Sequence, residues 1–202
     1  NNGNSWIKSD FQYYVGPYVY SLAVSGSNIY AGCIGLIRST DGGQTFSNYA
    51  LSQKTIWGLT VSGSYIYASV KDSGVYVSSD SGVTWAKSGL GYISTISTAA
   101  NGSLVYAGTE FGVRKSTNNG ANWTPTPLSQ SIYSIHTVGS KVFAGTSNGI
   151  QISTNNGTTW IQSSLTGDYV RSIVSSGINI YASTSSNGVY MSSNEGATWT
   201  NI

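Results

Sequence analysis

One motif recurs along the chain and constrains the fold more than any other feature. Five copies of an eight-residue box, Ser-x-Asp/Asn-x-Gly-x-x-Trp/Phe, begin at Ser39, Ser78, Ser116, Ser153 and Ser192. The aromatic residues that close the boxes are separated by steps of 39, 38, 37 and 39 residues, and a truncated sixth copy occupies residues 1–6. A repeat period of about 40 residues predicts a protein that stacks copies of one small unit.

Three short apolar segments lie between consecutive boxes and align from repeat to repeat. The first covers residues 19–22, 56–59, 93–96, 132–135 and 170–173; the second covers 29–31, 66–68, 105–107, 142–144 and 180–182; the third begins at Leu36, Val75, Val113, Ile150 and Val189. Their β-branched and aromatic residues, separated by Gly, Asn and Ser, are typical of strands and turns. Together with the segment after the box, each repeat therefore carries four strands, A to D.

Four-stranded units at this period are typical of propeller blades, so we expect an all-β fold. The sequence predicts a β-propeller of about five four-stranded antiparallel blades, formed by residues 1–202 as a single domain. The blades are placed at roughly 18–54, 55–91, 92–130, 131–167 and 168–202. Residues 1–17 contain an extra D strand that could complete the last blade and close the ring. The alternative is a segment cut from a longer array.

Each box is expected to clamp the turn between strands C and D. The third position is expected to accept backbone N–H groups two residues on, the fifth to adopt a positive φ, and the eighth to start strand D and pack into the blade. These positions are Asp41, Asp80, Asn118, Asn155 and Asn194; Gly43, Gly82, Gly120, Gly157 and Gly196; and Phe46, Trp85, Trp123, Trp160 and Trp199. Since three boxes use Asn, which cannot act as a base, we interpret the boxes as structural.

The pattern S-x-[D/N]-x-G-x-x-[W/F] resembles the Asp-box, or BNR repeat, of sialidases, xyloglucanases, sortilin-type receptors and photosystem II assembly factors. Five complete boxes and one partial box cover essentially the whole chain. The resemblance implies a β-propeller whose boxes are structural and lie on the side opposite the ligand face.

Composition excludes several classes of partner and site. Charged residues make up only 8% of the chain and the net charge is +2, so there is no basic footprint for nucleic acid. No stretch has the roughly 20 apolar residues of a membrane helix. Cys33 is the single cysteine and is expected to be a small buried hydrophobe, and His136 has no ligand partners at suitable spacing. We therefore expect no metal and no cofactor.

A candidate ligand face emerges from the aromatic residues. Ten of the 25 belong to strand B or to the boxes, and ten of the remaining fifteen lie between a box and the next strand A. The second position of strand A also varies, as Tyr20, Trp57, Ser94, Tyr133 and Arg171, while its neighbours barely vary. We therefore assign ligand binding to the face that carries the D–A and B–C connections, with inter-blade packing as the alternative. The candidate residues are Tyr20, Trp57, Tyr92, Tyr133, Tyr169 and Arg171.

The leading hypothesis is a non-catalytic, secreted binding module that takes a glycan. The aromatic cluster and the low-charge, cysteine-poor surface favour it, and we expect an extracellular or cell-surface location with any signal peptide upstream of this chain. One alternative is a protein-interaction scaffold domain of a larger extracellular protein. The other is a glycoside hydrolase, for which Asp72, Glu110 and Asp168 are the one candidate set of carboxylates. Sialidase chemistry is disfavoured because the chain has only three arginines, which do not converge.

Overall fold

The computed structural model describes residues 10–11 and 18–202, and the described residues are all-β. This confirms the fold class. No helix in this part of the chain has the length and apolar character needed to cross a membrane. The strands are β1 (Asp10–Phe11), β2 (Ser21–Ser25), β3 (Asn28–Ser39), β4 (Thr45–Ser62), β5 (Tyr65–Val70), β6 (Gly74–Ser78), β7 (Ala86–Lys87), β8 (Thr95–Asn101), β9 (Leu104–Thr109), β10 (Gly112–Ser116), β11 (Thr124–Pro125), β12 (Ser134–Val138), β13 (Lys141–Thr146), β14 (Gly149–Ser153), β15 (Ile161–Gln162), β16 (Val170–Ser176), β17 (Asn179–Thr184), β18 (Val189–Ser192) and β19 (Thr200–Asn201).

The last three repeats each form one four-stranded antiparallel sheet. The sheets contain β8 to β11, β12 to β15 and β16 to β19, each in the order A, B, C, D. The first two repeats share a single sheet, because β3 contains both B and C of the first repeat and β4 contains its D together with A of the second. The predicted boundary between residues 54 and 55 therefore falls inside β4.

The last sheet takes its fourth strand from the C-terminal end of the chain. Strand β19 pairs with β18, whereas β1 pairs in parallel with β4 of the first repeat. The remainder of the expected closing strand, residues 1–9 and 12–17, lies outside the described residues. The pairing of β19 is local, since it follows directly from the box hairpin of its own repeat, and such a contact closes a much shorter loop than one from the N-terminal segment would.

The cores lie between neighbouring repeats. The first strands of successive repeats, β4, β8, β12 and β16, contact one another in that order. Outside them, the aromatic side chain of each strand B is fully buried against the next repeat, as for Tyr30, Tyr67, Tyr106 and Phe143. Tyr181, the equivalent residue of the last repeat, is only partly buried. Most of the apolar burial is therefore shared by two repeats.

The glycine of each of the last four boxes packs against the strand B ring of the preceding repeat. A Cβ added at Gly82 would lie 2.9 Å from Cε1 of Tyr30, and one added at Gly196 would lie 2.7 Å from Cε1 of Phe143. Both glycines also have a φ of +88°. In the first of these contacts the Tyr30 hydroxyl donates a hydrogen bond of 2.5 Å to the carbonyl oxygen of Ser81. Space and backbone conformation together demand glycine here.

Within the boxes, the Asp or Asn side chain accepts the N–H of the residue four positions on, so the expected bond to an N–H two residues on is wrong. The Asp80 carboxylate accepts bonds from the N–H (2.9 Å) and the hydroxyl (2.6 Å) of Thr84. The serine that opens the box, Ser78, accepts the N–H of Gly82 at 2.7 Å. The turn is wider because the fourth position is left-handed too, with φ of 57° at Ser81. The amide oxygens of Asn118, Asn155 and Asn194 accept the corresponding N–H at 2.9 Å.

The single cysteine belongs to the core of the first repeat. Cys33 is buried beside Ala31 and Ile37, as a small hydrophobe would be. Burial raises the pKa of its thiol, so the group stays protonated and unreactive at neutral pH.

We predict that Gly196→Ala lowers the free energy of unfolding by about 2–4 kcal/mol, because the new Cβ is strained at positive φ and collides with Phe143. Chemical denaturation of the purified variant measures this loss. Gly188→Ala is the matched control: its φ is +78°, but the nearest atom to its Cβ is 4.0 Å away, so we expect only about 1–2 kcal/mol. Equal losses in the two variants would contradict the ring-on-glycine contact, and Phe143→Leu should recover part of the Gly196→Ala loss.

We predict that Asp80→Asn removes part of the acid sensitivity of the protein. Bonds from the hydroxyl and N–H of Thr84 and from Ser78 lower the pKa of Asp80 to about 2 from 3.8, so the stability it contributes is present above about pH 4 and is lost as pH falls toward about 2. Asn keeps the accepting oxygen without titrating, as in the last three boxes. Melting temperatures measured from pH 6 to pH 2 should fall less steeply in the variant, with Asn118→Asp as the converse control. An unchanged slope in both variants would refute this role.

Candidate functional site

Three of the six predicted ligand residues form one cluster where strand A begins. The ring centroids of Tyr133 and Tyr169 are 5.2 Å apart and the rings are tilted by 55°. The Arg171 guanidinium carbon lies 5.8 Å from the Tyr133 centroid and 5.2 Å from the Tyr169 centroid, within the range of cation–π attraction. Tyr133 comes from the fourth repeat and the other two residues from the fifth, so the cluster forms across a repeat boundary. We call these three residues the tyrosine–arginine cluster.

Backbone features at the starts of β12 and β16 position the side chains of Tyr133 and Arg171. The N–H of Tyr133 donates to the carbonyl oxygen of Gly145 at 2.9 Å, which ties the start of β12 to the end of β13. Arg171 lies at a shift of register between Val170 and Ser172 in β16. A bulge of this kind leaves one residue unpaired and redirects its side chain. Trp57 occupies the equivalent bulge in β4, and no feature of the sequence marked either bulge.

Asp168, one of the three candidate carboxylates, holds the adjacent loops together and is buried. Only 6% of this residue is exposed. Its carboxylate accepts the N–H groups of Tyr169 (2.7 Å), Ser186 (3.0 Å) and Asn187 (3.0 Å), and the Asn187 side-chain amide (2.9 Å). Burial by itself would raise the pKa of Asp168, but hydrogen bonds from these groups and from Thr184 outweigh it and hold the pKa below its usual value. The residue is therefore a structural anion.

Arg171 is oriented by the loop that Asp168 fixes. Its Nε donates to the hydroxyl of Ser185 at 2.7 Å, next to the two residues that Asp168 binds. Within residues 18–202 the one ion pair joins Lys141 and Glu195, so the Arg171 guanidinium has no carboxylate partner there. The cluster thus combines two tilted aromatic rings with the exposed guanidinium of Arg171, which is held in place through its Nε.

The other three predicted ligand residues lie in separate pairs. Trp57 carries the Lys71 ammonium 5.7 Å from its ring, and Tyr92, which is 83% exposed, carries the Lys87 ammonium 3.0 Å from its centroid. Tyr20 neighbours Tyr18, with centroids 6.3 Å apart. The six candidate residues near the start of strand A therefore form one three-residue cluster and three separate pairs. The basic partners of Trp57 and Tyr92 were not expected from the sequence.

The remaining candidates offer little chemistry. Asp72 and Glu110 are exposed in the B–C loops of the second and third repeats. His136 is partly buried, lies 2.9 Å from the hydroxyl of Ser175 in the next repeat, and has its pKa lowered by burial. In the part of the chain that the structure describes, His, Cys, Asp and Glu do not gather in groups of three that could hold a metal ion.

A small cavity of about 140 Å³ opens at the other end of the sheets, beside the A–B turns. Phe143, Ile178 and Ile180 form its apolar lining, and the Lys141–Glu195 ion pair lies at its edge. It lies on the box side, away from the tyrosine–arginine cluster, so a substitution here is a suitable control for effects on the cluster.

No protein-family model matches the chain, and no curated protein matches it significantly in sequence. Several solved structures do match it in fold. YCF48 bound to D1 peptide is similar with a TM-score of 0.70, 16% identity, and coverage of 94% of this chain and 70% of that one. The fold is a β-propeller.

Two further propeller structures give the same result. The GH74 xyloglucanase from Xanthomonas campestris has a TM-score of 0.69 and 15% identity, covering 91% of this chain and 38% of that one. The extracellular domain of a hybrid two-component system from B. thetaiotaomicron has a TM-score of 0.72 and 15% identity, covering 91% and 27%. The chain spans well under half the length of these two proteins. At such identities the likeness establishes the propeller fold alone, of the kind that these proteins share.

We predict that Asp168→Ala loosens the B–C loop of the last repeat without unfolding the propeller, because four N–H donors lose their common acceptor. Hydrogen exchange resolved to single residues should show the amides of Ser186 and Asn187 exchanging at least about tenfold faster, while amides of β12 to β14 keep their protection. Glu110→Ala, an exposed acid in the equivalent loop of the third repeat, should leave exchange unchanged. Full protection of Ser186 in Asp168→Ala would refute the anchoring role.

Proposed function

We propose that this propeller is a non-catalytic carbohydrate-binding module and that the tyrosine–arginine cluster is its binding site. The observation that carries the proposal is the meeting of Tyr133, Tyr169 and Arg171 across a repeat boundary. Repeat packing does not require this combination, since the position of Tyr133 and Arg171 is serine in the third repeat. We further propose that the repeats belong to the Asp-box type and that the protein works outside the cell.

The chemistry of the cluster suits a sugar ring. Pyranose rings carry C–H groups on one face, which pack on aromatic faces, and hydroxyls at the edge, which accept hydrogen bonds from a guanidinium. Two rings tilted by 55° offer a shallow corner in place of a flat plate. Ser185, Ser186 and Asn187 at its edge supply neutral polar groups.

One of the similar propellers supports a role in carbohydrate binding. A GH74 xyloglucanase is named for its action on a carbohydrate.

The hydrogen bonding of Asp168 supports the non-catalytic part of the proposal. Because its carboxylate is buried and saturated, and its pKa is lowered, it is unsuited to act as the general acid of a glycosidase, whose pKa must be raised. Asp72 and Glu110 then remain as exposed loop carboxylates.

A protein-interaction scaffold is the second candidate, favoured by a separate observation. Tyr18, Tyr20, Leu22 and Val24 alternate along the start of the first repeat and are all exposed, so they form an apolar stripe on one side of β2. Exposed apolar patches mark contact surfaces. The similar structure of YCF48 was solved with a peptide bound to it.

We predict that a panel of plant, bacterial and animal oligosaccharides contains ligands whose binding depends on the cluster. Tyr133→Ala and Tyr169→Ala should each weaken the best ligand about tenfold in isothermal titration, because each removes one stacking face. Ile178→Ala, which truncates an exposed side chain at the opposite end of the sheets, should have no effect. Absence of glycan binding, or affinity unchanged by both tyrosine variants, would overturn the proposal. Loss of binding to a protein partner on Leu22→Asp would support the scaffold.

A further inference from the structure

We infer that the tyrosine–arginine cluster selects carboxylated sugars, so that the ligand is an acidic polysaccharide built from uronic acid units. This inference rests on the proposed carbohydrate-binding function and narrows its substrate class. The sugar ring would pack in the corner between Tyr133 and Tyr169, and its carboxylate would bind the guanidinium of Arg171.

The guanidinium of Arg171 is oriented by one hydrogen bond but forms no ion pair among residues 18–202. Its Nε is used by Ser185, at 2.7 Å, which fixes the plane of the guanidinium. The two Nη groups have no carboxylate partner within residues 18–202, and the side chain is exposed. A planar fork with parallel N–H donors matches a carboxylate in a bidentate manner, which an alcohol cannot reproduce. An orienting bond that leaves the fork open therefore favours an anionic ligand over a neutral one.

In the part of the chain that the structure describes, Arg171 forms no ion pair with an acidic side chain. The nearest acid in sequence, Asp168, is buried, and its carboxylate is saturated by N–H donors from its own loops. The B–C loops of the fourth and fifth repeats consist of neutral residues, 147–148 and 185–187. Glu110 and Asp72 occupy the equivalent loops two and three repeats away from the fifth repeat, respectively. A ligand carboxylate would thus meet one uncompensated positive charge.

The same pairing of ring and cation recurs elsewhere on this face. Lys71 lies over Trp57 in the second repeat, and Lys87 lies over Tyr92 at its end. All three pairings lie at or next to the connections between strands D and A or B and C. A polymer with one negative charge per sugar could therefore contact several of them, as neutral glycans could not.

The experiment compares each acid with its own methyl ester. Short oligomers of galacturonate, of alginate uronates and of glucuronate-containing hyaluronan are titrated into the whole chain, each as the free acid and as the fully esterified form. We expect at least one free acid to bind about tenfold more tightly than its ester, and its affinity to fall with added NaCl. Esterification removes the charge and leaves the ring unchanged, so it isolates the carboxylate.

Variants then assign the effect to Arg171. Arg171→Gln should abolish the preference for the acid, bringing acid and ester within about twofold, and Arg171→Lys should restore only part of it, because the ammonium keeps the charge but not the fork. Lys115→Gln removes the same charge from strand C of the third repeat and should leave the preference intact. A preference lost equally in Lys115→Gln would assign it to net charge and overturn the inference.

The remaining outcomes separate this inference from the proposed function. Binding of neutral glycans or esters as tightly as acids, still lost in Tyr133→Ala, overturns the acid selectivity and leaves the carbohydrate function standing. Binding of no sugar at all overturns both. A preference for peptides with a free over an amidated C-terminus, with no uronate bound, also overturns both and assigns the guanidinium to a peptide carboxylate.

Discussion

The contact between a strand B ring and the glycine of the next box is the interaction on which the rest of the structure depends. It fastens the turn that ends one hairpin onto the core of the preceding repeat, as for Phe143 on Gly196. Each box therefore closes its own C–D hairpin through Ser and Asp or Asn, and each of the last four boxes also joins two repeats through Gly. Since most core clusters combine residues of two repeats, the stability of the array is mainly a sum of such boundaries.

At the opposite end of the sheets, some positions are not constrained by this contact. The boxes join neighbouring repeats on one side of the sheets, and position two of strand A, which is exposed or only partly buried, takes no part in that contact. Position two of strand A varies accordingly: it is tyrosine in two repeats, and tryptophan, serine and arginine in one repeat each. Because neighbouring repeats touch along strand A, a residue of one repeat meets one of the next, and a composite site such as Tyr133 with Arg171 arises without any change of scaffold.

The fold was predictable because its determinants are local and repeated. The box, the strand B aromatics and the glycines recur at a constant period, so five weak signals reinforce one another, and the positive φ at Gly82 and its equivalents followed from the pattern. For the site, the sequence allowed us to predict which residues take part but not how they are arranged. The bulge at Arg171, the burial of Asp168 and the cations over Trp57 and Tyr92 depend on contacts between loops of different strands, which have no period in the sequence. The shared sheet of the first two repeats escaped prediction for a similar reason, since the continuity of β4 depends on a connection that occurs once.

Charge placement ties stability to recognition. Of seven acids, Asp41 and Asp80 serve box turns, Asp168 serves a loop junction, and Glu195 pairs with Lys141. Most of these carboxylates accept hydrogen bonds from backbone N–H groups or pair with one ammonium, whereas Arg171, Lys71 and Lys87 lie against aromatic rings and form no ion pair with a carboxylate among residues 18–202. A cation over a ring keeps most of its hydration and remains available to an anion. The net charge of +2 therefore combines carboxylates that are mostly hydrogen-bonded or paired with cations that stay open to a ligand at Arg171, Lys71 and Lys87.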